Sequence, residues 1–255
     1  MKIDAKKEIE QIIYFLKKTF AEQGVQKAVI GISGGIDSTT SLFLLSRALP
    51  KEHIFPIHLY YYKPDKKEIK EFVRYTGIPD VNLKMISIKS AVDTVSNELG
   101  IRNNELGNNN TRLGNIMARM RMIFLYDFAK KENALVVGTE NKSEHYLAYF
   151  TRFGDEASDI EPIRHLYKIQ VYKLAKYLGV PKKIIEQKPT AGLWQRQTDE
   201  GEFGFTYQEA DQVLYLHFEK KVSIDELARR GLANAEIILD WVKRNSFKHH
   251  VPYTL

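Results

Sequence analysis

The sequence predicts an α/β fold in which helices cover both faces of a doubly wound parallel sheet. Segments with the composition of β-strands alternate along the chain with segments of helical periodicity, an order typical of parallel sheets. AVIGI at 28–32 and ALVVG at 134–138 are continuous apolar runs, as expected of strands buried on both faces. In such sheets ligands bind beyond the carboxyl ends of the strands.

The first part of the chain is predicted to begin with an amphipathic helix at 1–22, because Ile9, Ile12, Ile13 and Leu16 form one apolar stripe. A helix is also predicted over 66–78 and a long one from about 115 to 131. Strands are predicted within 28–32, 53–62, 82–88 and 134–139.

The second part of the chain is predicted to be mainly helical. A helix at 169–180 is ended by Gly179 and Pro181. The Asn-rich stretch 103–115 and the aperiodic stretch 188–207 are predicted to be loops, the second of them a lid. Three further helical stretches begin at Tyr207, Ser223 and Asn234. We therefore expect a single domain in three sections: an N-terminal helix (1–22), an α/β core (23–190), and a lid loop with C-terminal helices (191–255).

Composition excludes several classes of protein. The 255 residues contain no cysteine, which excludes disulfides, thiolate zinc sites and a cysteine nucleophile. No stretch approaches the roughly 20 apolar residues of a membrane span, and the N-terminus lacks the apolar core of a signal peptide. We expect a cytoplasmic protein without a membrane partner. The net charge of +6 favours anionic ligands. The lysines of the chain are scattered, however, and do not form the basic stripe typical of nucleic-acid-binding proteins.

The stretch 223–245 could be taken for a DNA-binding helix-turn-helix. Its second helix carries Glu236 and Asp240, where a reader of DNA bases would use arginine or asparagine. We therefore predict no nucleic-acid partner and a small helical appendage. Its core-facing residues are predicted to be Leu227, Ile237, Ile238 and Trp241.

The loop between the first strand and the next helix has the character of an anion site. Ser33, Gly34, Gly35 and Asp37 follow the strand directly, where backbone N–H groups and the helix dipole favour negative charge. The alternative is a tight turn in which Ser33 or Asp37 caps the helix. Hydroxyls and a carboxylate beside the glycines favour a nucleotide phosphate, with a magnesium ion bridging it to Asp37.

Five further motifs resemble those of one enzyme family. They are GNIMARMRMIFLYDFA (114–129), GTENKSE (138–144), FTRFGD (150–155) with Asp159 four residues later, PIRHLYK (162–168) and KPTAGLWQRQTDE (188–200). Together with the SGGIDS loop, this series is similar to the ammonia-dependent NAD synthetases, which are N-type ATP pyrophosphatases. The resemblance covers most of the chain from residue 28 to 204 and extends to the closing helices.

The resemblance implies an adenine nucleotide α-hydrolase-like fold and a ligase that works as a homodimer. The reaction implied is the last step of NAD biosynthesis, in which deamido-NAD is amidated with ammonia and Mg²⁺-ATP. It passes through an NAD-adenylate and releases pyrophosphate and AMP.

The resemblance also implies roles for individual residues. ATP would be held by the loop residues Gly31, Ile32, Ser33, Gly34, Gly35, Ile36, Asp37 and Ser38, and by Thr139, Lys168 and Thr190. Magnesium would be held by Asp37 and Glu144. Deamido-NAD would contact Arg119, Arg152, Asp159, Phe247 and Lys248. The catalytic residues would be Asp37 and Lys168, with Asp155 placed to favour ammonium capture or take a proton.

The sequence departs from the family pattern at two positions of the expected substrate site, and some of its motifs also allow other functions. Position 152 is more usually lysine in the family, and Phe247 replaces an expected histidine. A tRNA-thiolating relative would need cysteines, which the chain lacks. A nucleotide sensor without catalysis would not need both Asp37 and Glu144. Taken singly, Arg119 could pair with nearby acids, Lys168 could be a surface residue, and Thr190 a helix cap.

Overall fold

The computed structural model describes residues 1–101, 108–194 and 197–254. Within these ranges the strands form one parallel sheet in the order β3-β2-β1-β4. The strands are β1 (Lys27–Gly31), β2 (Ile54–Tyr60), β3 (Lys84–Ser87) and β4 (Ala134–Val137). The predicted strands and the predicted parallel arrangement are confirmed.

The strand order creates a switch point between β1 and β4. From β1 the chain moves outward to β2 and β3, and then returns to add β4 on the other side of β1. Val29 of β1 thus pairs with Phe55 on one side and Val136 on the other. Crossovers that leave in opposite directions open a crevice at the carboxyl ends of the two strands, where ligands of such folds bind.

Helices lie on both faces of the sheet and in a C-terminal group. Helices α1, α2 and α7 pack together on one face, and α4 and α5 on the other. The helices are α1 (Ala5–Glu22), α2 (Ile36–Ala48), α3 (Lys66–Arg74), α4 (Lys89–Glu98), α5 (Asn108–Glu132), α6 (Lys142–Leu147), α7 (Lys168–Leu178), α8 (Lys182–Ile185), α9 (Asp199–Phe203), α10 (Tyr207–Leu214), α11 (Ile224–Arg229) and α12 (Ala235–Asn245). No helix within the described ranges is long and apolar enough to cross a membrane.

Alternation along β1 divides the core between the two faces. Ala28 and Ile30 belong to the cluster with α1, α2 and α7, whereas Val29 belongs to the cluster with α4 and α5. All three side chains are fully buried, which explains why the strand is apolar at these three consecutive positions.

The C-terminal helices form a third core against α6 and α7. Leu227 and Ile238 are fully buried there, and Trp241 packs against the same cluster, as predicted. The prediction for Ile237 is wrong, since its side chain is 51% exposed. On α12 the buried stripe contains Ala235 and Ile238, and a residue one position before Ile238 is turned about 100° away from it.

Two loop predictions are corrected in part. Helix α5 begins at Asn108, so the second half of the stretch 103–115 is helical, and residues 102–107 lie outside the described ranges. The stretch 188–207 contains α9, which Thr198 caps by accepting from the Gly201 amide. Gly204, at φ +78°, ends this helix in the left-handed region that glycine favours.

Candidate active site

The loop between β1 and α2 carries the first group of predicted site residues. The backbone turns at Gly34 with φ +93°, a conformation that glycine adopts without strain. Ser33 and Ser38 join their hydroxyls at 3.0 Å, and the Gly35 amide donates to the Ser33 hydroxyl. Within the described residues no side chain caps the N-terminus of α2, so its first-turn amides have no side-chain acceptor among them. The capping alternative for Ser33 and Asp37 is therefore not what the structure has.

Asp37, Glu144 and Lys168 converge at the crevice between β1 and β4. The Lys168 ammonium lies 2.5 Å from Asp37 Oδ2 and 3.1 Å from Glu144 Oε1. The three residues lie in the first turns of α2, α6 and α7, so three separate helix starts face one point. The alternative that Lys168 is a surface residue is wrong, because only 2% of it is exposed.

Asn141 orients both carboxylates and was not singled out from the sequence. Its Nδ2 donates to Asp37 Oδ1 at 2.9 Å, and its Oδ1 accepts from the Glu144 amide at 3.0 Å. The Glu144 carboxylate in turn accepts from the Asn141 amide, which completes a capping box on α6. The spacing N-x-x-E within GTENKSE is typical of a capping box and could have predicted this contact between Asn141 and Glu144.

Electrostatics keep the cluster charged at its centre. Burial by itself lowers the pKa of Lys168, but Asp37 and Glu144 outweigh that effect, so the net direction is upward and the ammonium persists. Burial raises the pKa of Glu144, while Lys168 opposes the rise and Asp37 adds to it. The buried cation therefore lies between two carboxyl groups, those of Asp37 and Glu144.

Asp211 of α10 fixes the start of the helix that carries Lys168. Its Oδ2 accepts from the Ile169 amide at 2.9 Å, and its Oδ1 accepts from the Ser143 hydroxyl. The Ser143 oxygen accepts in turn from the Lys168 amide at 2.8 Å. Asp211 is fully buried, and burial raises its pKa to about 6. One carboxylate from the C-terminal group thus sets the position of α6 relative to α7.

Asp199 and Tyr207 connect the predicted lid to the same cluster. The Tyr207 ring lies below the Lys168 ammonium, 4.8 Å from ring centroid to Nζ. The Tyr207 hydroxyl donates to Asp199 Oδ2 at 3.0 Å, and the Ala191 amide donates to Asp199 Oδ1 at 3.1 Å. Thr190 accepts from the Gly192 amide through its hydroxyl, so its local role is to shape a turn. Its contact with ATP stays a prediction.

A second group of predicted residues lies around the loop after α6. Arg119 of α5 donates from Nε to the Arg152 carbonyl at 3.3 Å, and the Arg152 guanidinium lies 5.4 Å from the centroid of the Phe247 ring. Lys248 donates to the carbonyls of Ala148 and Phe150 at 2.9 and 3.0 Å. The structure therefore brings the predicted cations Arg119 and Arg152 together with the C-terminal segment.

The two predicted acids of this region have backbone partners. Asp159 accepts from the Val136 amide at 2.7 Å, which ties the segment to β4. Asp155 accepts from the Thr151 amide at 2.8 Å, and burial raises its pKa. Asp155 belongs to this second group and not to the cluster around Lys168.

Glycine is required at the end of β4 because a carboxyl group fills the space beside it. A Cβ at Gly138 would lie 1.9 Å from Glu161 Oε1. That carboxyl accepts from the Ser158 hydroxyl and the Glu140 amide, and burial raises its pKa to about 8. The Glu140 side chain, also buried, pairs with Arg164 at 3.1 Å. These acids were not singled out from the sequence.

Comparison with known proteins identifies the family. The NAD synthase family model matches residues 8–252. The chain is 41% identical over 252 residues to the NH(3)-dependent NAD(+) synthetase of Thermoplasma volcanium, covering 99% of this chain and 98% of the relative. It is 38% identical over 246 residues to the enzyme of that name from Fusobacterium nucleatum, covering 95% and 92%.

Solved structures agree with this assignment. The NMN synthetase of Francisella tularensis superimposes with a TM-score of 0.81 at 33% identity, covering 100% of this chain and 99% of that one. The NH3-dependent NAD synthetase of Campylobacter jejuni gives a TM-score of 0.79 at 29% identity and covers 100% of both chains. The adenine nucleotide α-hydrolase-like fold expected from the sequence is confirmed, and the chain belongs to the NAD synthase family.

Proposed function

We propose that this protein is an ammonia-dependent ligase that converts deamido-NAD to NAD with consumption of ATP. The observation that carries the proposal is the meeting of Asp37, Glu144 and Lys168 beside the loop 33–38. These groups face the crevice where a parallel sheet with this strand order binds ligands. Family membership supports the same reaction.

The proposed reaction activates a carboxylate before amidation. A nicotinate carboxylate oxygen bonds to the α-phosphorus of ATP while the bond from that phosphorus to the β-bridging oxygen breaks, and pyrophosphate leaves. Ammonia then bonds to the acyl carbon, AMP leaves with the carboxylate oxygen, and one proton is released. Such transfers depend on positioning and on charge stabilisation, which the α2 amides and Lys168 would supply.

Mg²⁺ fits the donor groups that the cluster offers. Carboxylates are hard oxygen ligands, and Asp37 and Glu144 face the same point. Among the residues that the structure describes, no group of three or more His, Cys, Asp or Glu side chains is arranged to hold a metal ion. Further ligands would therefore come from phosphate oxygens and water. When bound, Mg²⁺ would neutralise charge on the phosphates.

The second group of residues is proposed to bind the nucleotide that carries the carboxylate. Arg119 and Arg152 provide cations for its phosphates, and Phe247 provides an aromatic face beside Arg152. Lys248 anchors the C-terminal segment to the loop after α6. Asp155 is proposed to accept the proton that the nitrogen of ammonia loses once it has bonded to the acyl carbon, since burial raises the pKa of the Asp155 carboxyl.

A mononucleotide acceptor is the second candidate. The structure of the Francisella protein, called an NMN synthetase, is similar to this chain over its full length. Nicotinate mononucleotide has the same reacting carboxylate as deamido-NAD and lacks the AMP half. The two candidates differ only in the nucleotide carrying that group, and competition between them can be measured directly.

With Mg²⁺-ATP, deamido-NAD and ammonium chloride, we expect the purified protein to form NAD, AMP and pyrophosphate in equal amounts. Glutamine in place of ammonium should give no turnover, because the sequence has no cysteine to act as a thiol nucleophile on the amide. Chromatography of the nucleotides provides the measurement. Ammonia-free glutamine is the control, and sustained NAD formation from it would contradict the nitrogen source. Higher kcat/KM with nicotinate mononucleotide would favour the second candidate.

The protein is also proposed to form a homodimer through α5. Around its middle this helix exposes part of an apolar surface that includes Met120, Met122 and Phe124, with Ile123 48% exposed. Light scattering should therefore give the mass of two chains, and Ile123→Glu should give one. Tyr14→Glu, on a still more exposed residue of α1, should leave the dimer intact. A monomeric wild type would contradict this proposal. The cytoplasmic location stays a prediction.

A further inference from the structure

Each carboxylate oxygen of the cluster already accepts a hydrogen bond from the protein. Asp37 Oδ1 accepts from Asn141 Nδ2 at 2.9 Å, and Asp37 Oδ2 accepts from Lys168 Nζ at 2.5 Å. Glu144 Oε1 accepts from Lys168 Nζ at 3.1 Å, and Glu144 Oε2 accepts from the Asn141 amide at 3.3 Å. Lys168 Nζ is the one of these donors that contacts both side chains, so it lies between the two carboxyl groups.

The ammonium of Lys168 lies where a metal ion that bound both carboxylates would bind. It contacts one oxygen of each carboxylate, which is the arrangement a bridging cation needs. Mg²⁺ binds oxygen at about 2.0–2.1 Å, so its nucleus would lie within a few ångströms of the ammonium. Since both are cations and Lys168 is 2% exposed, solvent would screen their repulsion poorly. The metal and the ammonium therefore compete for one position.

The side chain of Lys168 can leave that position while the backbone of the residue stays in place. Its amide is bound to Ser143, which Asp211 holds, so the backbone stays fixed. The four-carbon stem can still rotate, and triphosphate oxygens offer the ammonium new acceptors of higher negative charge. The ring of Tyr207 borders the ammonium and limits the directions available to it.

We infer that Lys168 is an exchangeable internal counter-ion, which holds Asp37 and Glu144 until ATP arrives and then moves to the phosphates as the metal takes its place. This inference rests on the proposed use of Mg²⁺-ATP. It assigns Lys168 a second role: excluding free divalent cations from the empty site, so that the metal enters together with the nucleotide.

The test is the binding of Mn²⁺, a paramagnetic substitute for Mg²⁺, to the full chain without nucleotide. Electron paramagnetic resonance measures the free ion. We expect Lys168→Met to bind Mn²⁺ about tenfold or more tightly than the wild type, because the competing cation is gone and the two carboxyl groups have lost the ammonium between them. Lys168→Arg, which keeps the charge, should show no gain. Lys142→Met, which removes a cation paired with Glu219 outside the site, should show none either.

Thermal unfolding gives a second readout that uses no turnover. Lys168→Met should unfold at a lower temperature than the wild type, and Mg²⁺ alone should raise that temperature by binding the two carboxyl groups. The wild type should respond only to Mg²⁺ with ATP. If Lys168→Met does not fold, the wild type and Lys168→Arg still decide the matter, since tight binding of Mn²⁺ alone to either would overturn the exchange.

The outcomes separate this inference from the proposed function. Equal affinities of the wild type and Lys168→Met for Mn²⁺ would overturn the exchange, even if the protein forms NAD. The expected gain in Lys168→Met would support the exchange, even if the wild type forms no NAD and the proposed reaction is wrong.

Discussion

Asp37→Asn is expected to lower kcat/KM for NAD formation by about a thousandfold or more while the protein stays folded. Asparagine has nearly the same shape and keeps one oxygen that can accept from Asn141 or Lys168. It loses the negative charge that would hold the metal and that now balances the Lys168 ammonium. Rates of NAD and AMP formation give the effect, and circular dichroism reports the fold.

Two further variants make the result specific. Glu144→Gln should lose activity in the same way, because Glu144 provides the other carboxylate of the pair. Asp65→Asn is the matched control: Asp65 also lies at a helix start, where it caps α3, but it has no contact with the cluster. Its activity should be unchanged. Retention of a tenth of the wild-type activity by Asp37→Asn would contradict the role of Asp37.

Asp211→Ala should lower both stability and activity. The substitution leaves the Ile169 amide and the Ser143 hydroxyl without their acceptor in a fully buried place. Unsatisfied buried donors cost about 1–3 kcal/mol each, so the two together should lower the free energy of unfolding by about 2–6 kcal/mol. Because the start of α7 is no longer fixed, Lys168 loses its position, and kcat should fall about tenfold or more.

Urea denaturation and steady-state kinetics on the same preparation measure both effects. Asp225→Ala removes an exposed acid of α11 and serves as the control, with stability and kcat unchanged. A variant at position 211 with wild-type stability would contradict the network, and one with wild-type kcat would contradict its link to Lys168.

The pH dependence of stability provides an independent check on Asp211. Burial raises the pKa of its carboxyl to about 6 in the folded protein, above the ordinary value of 3.8. The folded state therefore binds the extra proton, and the contribution of Asp211 is fully present below pH 3.8 and lost as the pH rises through 6. Relative to Asp211→Asn, the wild type should be less stable at pH 8 than at pH 5.

Strands β1 and β4 could be predicted from the sequence because their central side chains are buried. The centres of β1 and β4 accommodate apolar side chains, so the apolar runs AVIGI and ALVVG are sufficient to predict these strands. The start of α5 could not be predicted, since an Asn-rich sequence has low helix propensity and the long helix continues through it.

The cluster around Lys168 was predictable only in part. Asp37 and Glu144 stand in motifs that follow predicted strands, and Lys168 ends the motif PIRHLYK. Asp199 and Asp211, in contrast, belong to helices that tertiary packing brings to α7. Asp211 did leave a signal. It occupies the apolar stripe of α10 with Tyr207, Ala210 and Leu214, where a charged residue needs buried partners.

The dependence of α7 on Asp211 has a consequence for synthesis on the ribosome. Strand β4 ends at Val137, so the whole sheet can leave the exit tunnel while α10, at Tyr207–Leu214, is still untranslated. Until α10 emerges, the Ile169 amide and the Ser143 hydroxyl lack the carboxylate that fixes them. Nascent chains should therefore acquire a folded sheet first, and the start of α7 should reach its final position only after α10 has been made.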